Sequence, residues 1–265
     1  MSHAPTEPNC LNCGAELQGK FCHACGQKAS SVHLGMHDFV HEATHELLHL
    51  DGKILQTVKL LVAKPGELTR EFLAGRRARY ISPVRVYLTF SLIFFTLAAV
   101  LPRGPRPMVR IDNTRPIHAE TEFQKRIVTA LEKGQREGKR LSDDILQNLP
   151  KVAFVLMPIF GLLTWALYRR QQRYYIAHLY YSIHFHAFVF LVMSASVLLG
   201  RTMLPRGVAA PLLLATVPYH FLALRRVFGG SWGKTLAKGL AIGLVYSLLA
   251  AAAVLTLTFY LMLRL

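Results

Sequence analysis

Five stretches of this chain are apolar over roughly the thickness of a bilayer: Val84 to Leu101, Val152 to Tyr168, Ile176 to Gly200, Val208 to Leu224 and Leu236 to Leu263. A hydrocarbon core of about 30 Å requires roughly 20 residues at 1.5 Å each, and a backbone inside it must satisfy its own hydrogen bonds. The pattern therefore predicts an all-α fold, a polytopic helical membrane protein with about five transmembrane helices. The first two stretches are short, and the last is long enough to tilt. Pro158, Pro211 and Pro218 are expected to kink their helices. Composition agrees, with 52% hydrophobic residues, 17% charged residues and a mean hydropathy of +0.30 over 265 residues.

The chain is also strongly basic, with 31 Lys+Arg against 15 Asp+Glu, a formal net charge of +16. These cations flank apolar runs rather than covering a soluble face, which favours anionic lipid headgroups as partners and argues against nucleic acid. Arg76, Arg77, Arg79 and Arg85 surround the start of the first run, and these four are expected to face lipid. Arg169, Arg170 and Arg173 separate the second run from the third, and Arg225, Arg226 and Lys234 separate the fourth from the fifth. If all three clusters lie in the cytoplasm, the N-terminus is cytoplasmic and the C-terminus extracytoplasmic. The opening residues carry no apolar signal segment, in keeping with that orientation. Three regions follow: residues 1–30, residues 31–83 and a transmembrane domain over 84–265. An extracytoplasmic loop over 102–151 is expected to hold a short helix ending near Gly134, with a second start at Ser142.

All four cysteines lie in CLNCGAELQGKFCHACGQK, as Cys10-x-x-Cys13-Gly14 and Cys22-x-x-Cys25-Gly26. Two residues between thiolates let one tight turn aim both sulfurs at one ion, and the glycine supplies the turn's left-handed backbone. Two such knuckles complete a tetrahedral shell, so residues 1–30 are expected to form a zinc ribbon ligated by Cys10, Cys13, Cys22 and Cys25. A pair of disulfides is the alternative, which a reducing cytosol disfavours. With four thiolates the shell is closed, which makes the zinc structural and turns His23 outward.

Residues 31–83 are expected to form an amphipathic interfacial segment; within it residues 53–83 alternate apolar clusters with lysine and arginine, and Pro65-Gly66 divides them into two helices. Both have one apolar and one cationic side, suited either to the membrane interface or to packing on the helical bundle. Upstream, His33, His37, His41, His45 and His49 recur every four residues, and the run spells H-E-x-x-H as His41-Glu42-His45 and again as His45-Glu46-His49. A metallopeptidase would need those histidines on zinc, the glutamate on water and a further ligand from elsewhere. No second soluble segment roofs a cleft. The simpler reading is a polar helix face, with metal or proton sensing through His41, Glu42, His45 and His49 between the two.

Histidines recur inside the apolar runs, as His178, His184 and His186 in the third and His220 in the fourth. Ionisable groups inside a membrane are costly unless partnered. With no Asp or Glu in any run, neutral imidazoles bonded between helices are expected rather than a proton path or a solute-transport route.

The order of these features, the run DGKILQTVKLLVAKPGELTREFLAGRRARYISPVRVYL, then HLYYSIHFHAFVFL and YHFLALRRVFGGSWGKTL, resembles a group of bacterial inner-membrane proteins known only as a numbered domain of unknown function with an N-terminal zinc ribbon. Its most specific part is Lys64 to Gly66 followed by G-x-R-x-x-Y-x-x-P over Gly75 to Pro83. The resemblance implies a membrane location and a ribbon, with no established activity. An acidic residue that often precedes the first histidine of the third run in such proteins is Ala177 here. The combined expectation is a non-enzymatic interaction or scaffold protein whose ribbon meets a cytosolic protein partner.

Overall fold

Pro65 cannot continue a helix and Gly66 sits at φ +78°, so the first helices part where the sequence predicts. In the computed structural model, which describes residues 8–29, 52–101, 122–200 and 209–264, α1 spans Lys53–Ala63 and α2 spans Glu67–Leu73. Their apolar sides (Leu61, Leu68 and Phe72) are buried, while Leu55, Lys59 and Val62 remain exposed. Their apolar sides pack on the bundle, one of the two compatible placements open to this pair.

Four helices are long and apolar enough to cross a membrane, which makes this a multi-pass membrane protein. The first, α3 (Pro83–Val100), begins with proline at its first position, where a missing N–H costs nothing. The second, α4 (Glu122–Tyr168), has 47 residues and is about 70 Å long, so half of it must lie outside the hydrocarbon. It runs without a break past Gly134, Gly138 and Ser142, correcting the expected pair of separate starts. A helical glycine costs only about 1 kcal/mol against alanine, too little to end so long a helix. The third, α5 (Tyr175–Leu199), is the most enclosed and forms the centre of the bundle. The last, α8 (Trp232–Met262), buries only Thr235, Gly239 and Ile242.

The fourth predicted span is not a single helix. It is divided into α6 (Ala209–Leu214) and α7 (Thr216–Phe228). Pro218 explains the position of the break, because its ring clashes with the carbonyl of the residue four before it, Leu214. The sequence anticipates a local kink at Pro218, and the structure shows a break of one residue at Ala215, which keeps right-handed angles (φ −61°, ψ −19°). The two pieces still retrace α5: Tyr219 stacks on Phe188 with centroids 3.6 Å apart, and Phe228 stacks on His178 at 4.7 Å. Chain direction thus reverses between α5 and α7.

Those contacts define one end of the bundle. Phe228 also stacks on Tyr168 at the close of α4, and Lys238 near the start of α8 donates to the Leu167 carbonyl at 2.6 Å. Phe72, Tyr80 and Tyr180 meet at the same end, just before α3. From there α3 leads away, α4 returns, α5 leads away, α6 and α7 return, and α8 leads away. Pro83 and Met262 therefore lie at opposite ends.

Candidate metal centre and the loop it rests on

The two cysteine knuckles are the same structure repeated twelve residues later. In the first, Gly14 N–H donates to Cys10 O and Cys10 N–H donates to Ala15 O, both at 2.8 Å. In the second, Gly26 N–H donates to Cys22 O and Cys22 N–H donates to Gln27 O, also at 2.8 Å. Each is closed by an isolated antiparallel bridge, Asn9 to Glu16 and Phe21 to Lys28. Gly14 and Gly26 adopt φ of +80° and +72° with open space where a Cβ would point, so it is the backbone angle that calls for glycine.

The repeat brings all four sulfurs within 4.8 Å of one another. Cys10 Sγ lies 3.6 Å from Cys25 Sγ, and Cys13 Sγ lies 3.5 Å from Cys22 Sγ. The edge of a tetrahedron of thiolates about 2.3 Å from a central ion is about 3.8 Å, so the donor set fits a single tetrahedral metal ion. Burial opposes ionisation of Cys22, yet the N–H groups of Cys25 and Ala24 and the neighbouring thiols bring its pKa down to about 6. The Ala15 N–H favours the Cys13 thiolate, but Cys22, burial, Cys25 and Cys10 push that group up to about 12. Four sulfurs this close cannot all ionise without a cation among them. His23 is exposed, as expected of a group outside a closed shell.

The Gln27 side chain joins the ribbon to the rest of the protein. Gln27 Nε2 donates to Gly75 O at 2.7 Å, while Gln27 Oε1 accepts from the N–H groups of Arg77 at 3.1 Å and Ala78 at 3.0 Å. The loop it holds, from Gly75 to Ser82, joins α2 to α3. Glu71 receives two hydrogen bonds from Arg76, at 2.8 and 2.5 Å, and Ile81 N–H donates to Thr57 Oγ1 at 3.1 Å. Of the four arginines expected at lipid, Arg76 is thus committed to Glu71 and Arg77 offers its backbone to the ribbon, whereas Arg79 is exposed and Arg85 half-buried.

The Arg76 hydrogen bond, followed by its charge, holds the Glu71 carboxyl below the usual range despite partial burial. A depressed carboxylate pKa contributes stability that is present above the unfolded-state value and fades as pH falls through the folded one. Glu71→Gln should therefore lower the thermal midpoint at pH 7 by the equivalent of about 1 kcal/mol, a value discounted for the half-exposed arginine. The difference from wild type should narrow as scans are taken at progressively lower pH, through and below the ordinary carboxylate range.

Deeper in the bundle each histidine has a neutral partner. His186 Nδ1 lies 2.8 Å from Ser182 O and so carries the proton, which leaves Nε2 to accept from Tyr246 Oη at 2.7 Å. His184 Nδ1 meets Thr69 Oγ1 at 2.9 Å, tying α5 to α2, and His220 Nδ1 meets Tyr181 Oη at 2.9 Å, tying α7 to α5. His178 Nε2 donates to Gln172 O at 3.0 Å. Phe160 lies between His186 and His220, in ring contact with both and with Tyr181, Phe185 and Tyr246. This is a packed polar-aromatic core, and the cysteines form the one cluster able to hold a metal among the described residues. The stripe from His33 to His49, including His41, Glu42, His45 and His49, lies outside the described residues.

Residues 51–95 match the model of a family described as a protein of unknown function (DUF3667). The match covers α1, α2, the loop held by Gln27 and most of α3, and it contains the Lys64-to-Gly66 and Gly75-to-Pro83 motifs. The comparisons found no similar curated protein and no similar solved structure.

Gln27, Thr69 and Tyr246 are site residues that sequence reasoning missed. Single neutral polar residues have no spacing rule, although Gln27 follows a knuckle glycine directly and could have been marked by that position.

Proposed function

We propose that this is a non-enzymatic scaffold protein of the bacterial cytoplasmic (inner) membrane. Its four-cysteine ribbon carries structural zinc and presents a small rigid surface to a cytosolic protein. The observation carrying this reading is the anchoring of the ribbon, through Gln27, to the end of the bundle where the basic residues gather. Arg225 lies over the Trp232 ring at 4.2 Å and Lys238 over the Tyr168 ring at 4.2 Å, a pairing suited to an interface facing anionic headgroups. Basic residues mark the cytoplasmic side, so the N-terminus is inside and the C-terminus outside. Zinc is the ion of choice because four thiolates in a reducing compartment form a closed tetrahedral shell for it. Phe21, exposed on the ribbon, supplies an apolar contact for the partner.

A photocrosslinking residue in place of Phe21, activated in intact membranes, should give an adduct with a cytosolic protein, and the adduct should vanish in Cys10→Ser. Adducts confined to lipid or to this chain would overturn the reading. Metal analysis of the purified protein should give one zinc per chain, unchanged by replacing His41 and His45 with alanine. Two zinc ions, with peptide hydrolysis abolished by Glu42→Gln, would point instead to a metallopeptidase.

A further inference from the structure

Gln27 belongs to two structures at once. Its backbone carbonyl receives the Cys22 N–H and so closes the second knuckle, while its side-chain amide bonds three backbone groups of the loop from Gly75 to Ala78. The first knuckle shows which of these roles the ribbon itself needs. Ala15 occupies the equivalent position twelve residues earlier, its carbonyl receives the Cys10 N–H in the same way, and its side chain is only a methyl group. A knuckle therefore closes without an amide at this position. The amide of Gln27 serves the loop.

Other bonds hold the loop near its ends, where Arg76 N–H donates to Glu71 O and the Arg76 side chain to the Glu71 carboxylate. Gly75 adopts φ +78°, and inside the loop Tyr80 N–H donates to Arg77 O at 3.1 Å. Arg77 and Ala78 direct their N–H groups at Gln27 rather than into a helix. Below it Ile81 is tied to Thr57, and Pro83 starts α3. The position of this segment is therefore connected to the first membrane-crossing helix on one side and to α2, with its Thr69–His184 bond into α5, on the other.

A ribbon of some twenty residues buries almost no apolar core, so its fold depends on the metal. We infer that metal occupancy of the four-cysteine site is communicated to the membrane domain through Gln27, which locks the Gly75–Ser82 loop when the metal is bound and frees it when the metal is lost. The ribbon's partner in this role is the chain's own inter-helix loop. The inference rests on the ribbon binding zinc, as proposed above, and is otherwise independent of any cytosolic partner.

The test is hydrogen–deuterium exchange on the full chain in lipid nanodiscs, read on peptides spanning residues 74–82, with zinc content measured on the same samples. Stripping zinc with a chelator should speed exchange at Arg77 and Ala78 by about tenfold or more, as expected when two amides lose their acceptor. Added zinc should restore the slow rate. Gln27→Ala should keep one zinc, exchange at the stripped rate and show no further change with chelator. If that variant holds zinc poorly, Gln27→Met, of similar length but without donor or acceptor, takes its place. A chain that takes up no zinc at any buffered concentration would remove the ribbon reading itself. A chain that binds zinc yet exchanges these amides equally fast loaded and stripped, or a zinc-loaded Gln27 variant as protected as wild type, would overturn the coupling alone.

Discussion

Cys22→Ser should take the protein from one bound metal ion per chain to none and unfold residues 8–29 while leaving the helical bundle assembled. Cys22 is the most enclosed of the four sulfurs, 2% exposed, and its thiolate is the one that the Cys25 and Ala24 N–H groups favour. A serine hydroxyl is similar in shape but remains protonated at neutral pH and is a poor ligand for a soft thiolate site. Three remaining thiolates leave the shell open in a module with no core to fall back on. The coupling between metal and folding in such modules is about 10–16 kcal/mol, far more than any single contact in the ribbon supplies. Metal analysis and limited proteolysis should show the loss together, with cleavage confined to the ribbon. The thermal midpoint of the detergent-solubilised protein should move little, since the aromatic core around Phe160 contains no ribbon residue. Retention of a full equivalent of metal would refute the four-thiolate assignment.

The features readable in advance were those with a strong periodic or spacing rule behind them. Runs of apolar residues have to satisfy their backbone internally, so the α3, α4, α5 and α8 crossings were evident from composition. The C-x-x-C-G pairs likewise announced a four-sulfur cluster, because turn geometry and ligand geometry coincide. What stayed hidden depended on small energy differences or on partners distant in the chain. Gly134 and Ser142 looked like a stop and a start, yet their helix costs are small beside the continuity of a 47-residue helix. Pro218 was visible as a distortion, but whether a proline bends a helix or divides it depends on what the neighbouring helices offer the freed carbonyls. The histidines were recognised individually, whereas their pairings with Thr69, Tyr181 and Tyr246 join residues 115, 39 and 60 positions apart.

The second large effect is expected at Gly66, in the Lys64-to-Gly66 motif of the family-matched segment. Gly66→Ala meets two separate penalties there. At φ +78° an alanine sits in the left-handed region, at a cost of about 1–2 kcal/mol. Its Cβ would also lie 2.8 Å from Ala223 O and 3.0 Å from Ala223 Cα, both backbone atoms of α7 that cannot rotate away. Relieving that contact by shifting the α1–α2 pair would strain the Tyr219-to-Leu61 hydrogen bond at 2.8 Å and the Arg226-to-Pro65 hydrogen bond at 2.7 Å. Overpacking of this kind adds about 1–3 kcal/mol, for roughly 2–5 kcal/mol in all. Gly66→Asn separates the two penalties, because asparagine tolerates the left-handed region far better than alanine but carries the same Cβ. In detergent melts Gly66→Asn should still lower the midpoint clearly. A Gly66→Asn melt like that of wild type would mean that only backbone strain matters at Gly66, and that α2 does not rest against α7 as closely as described.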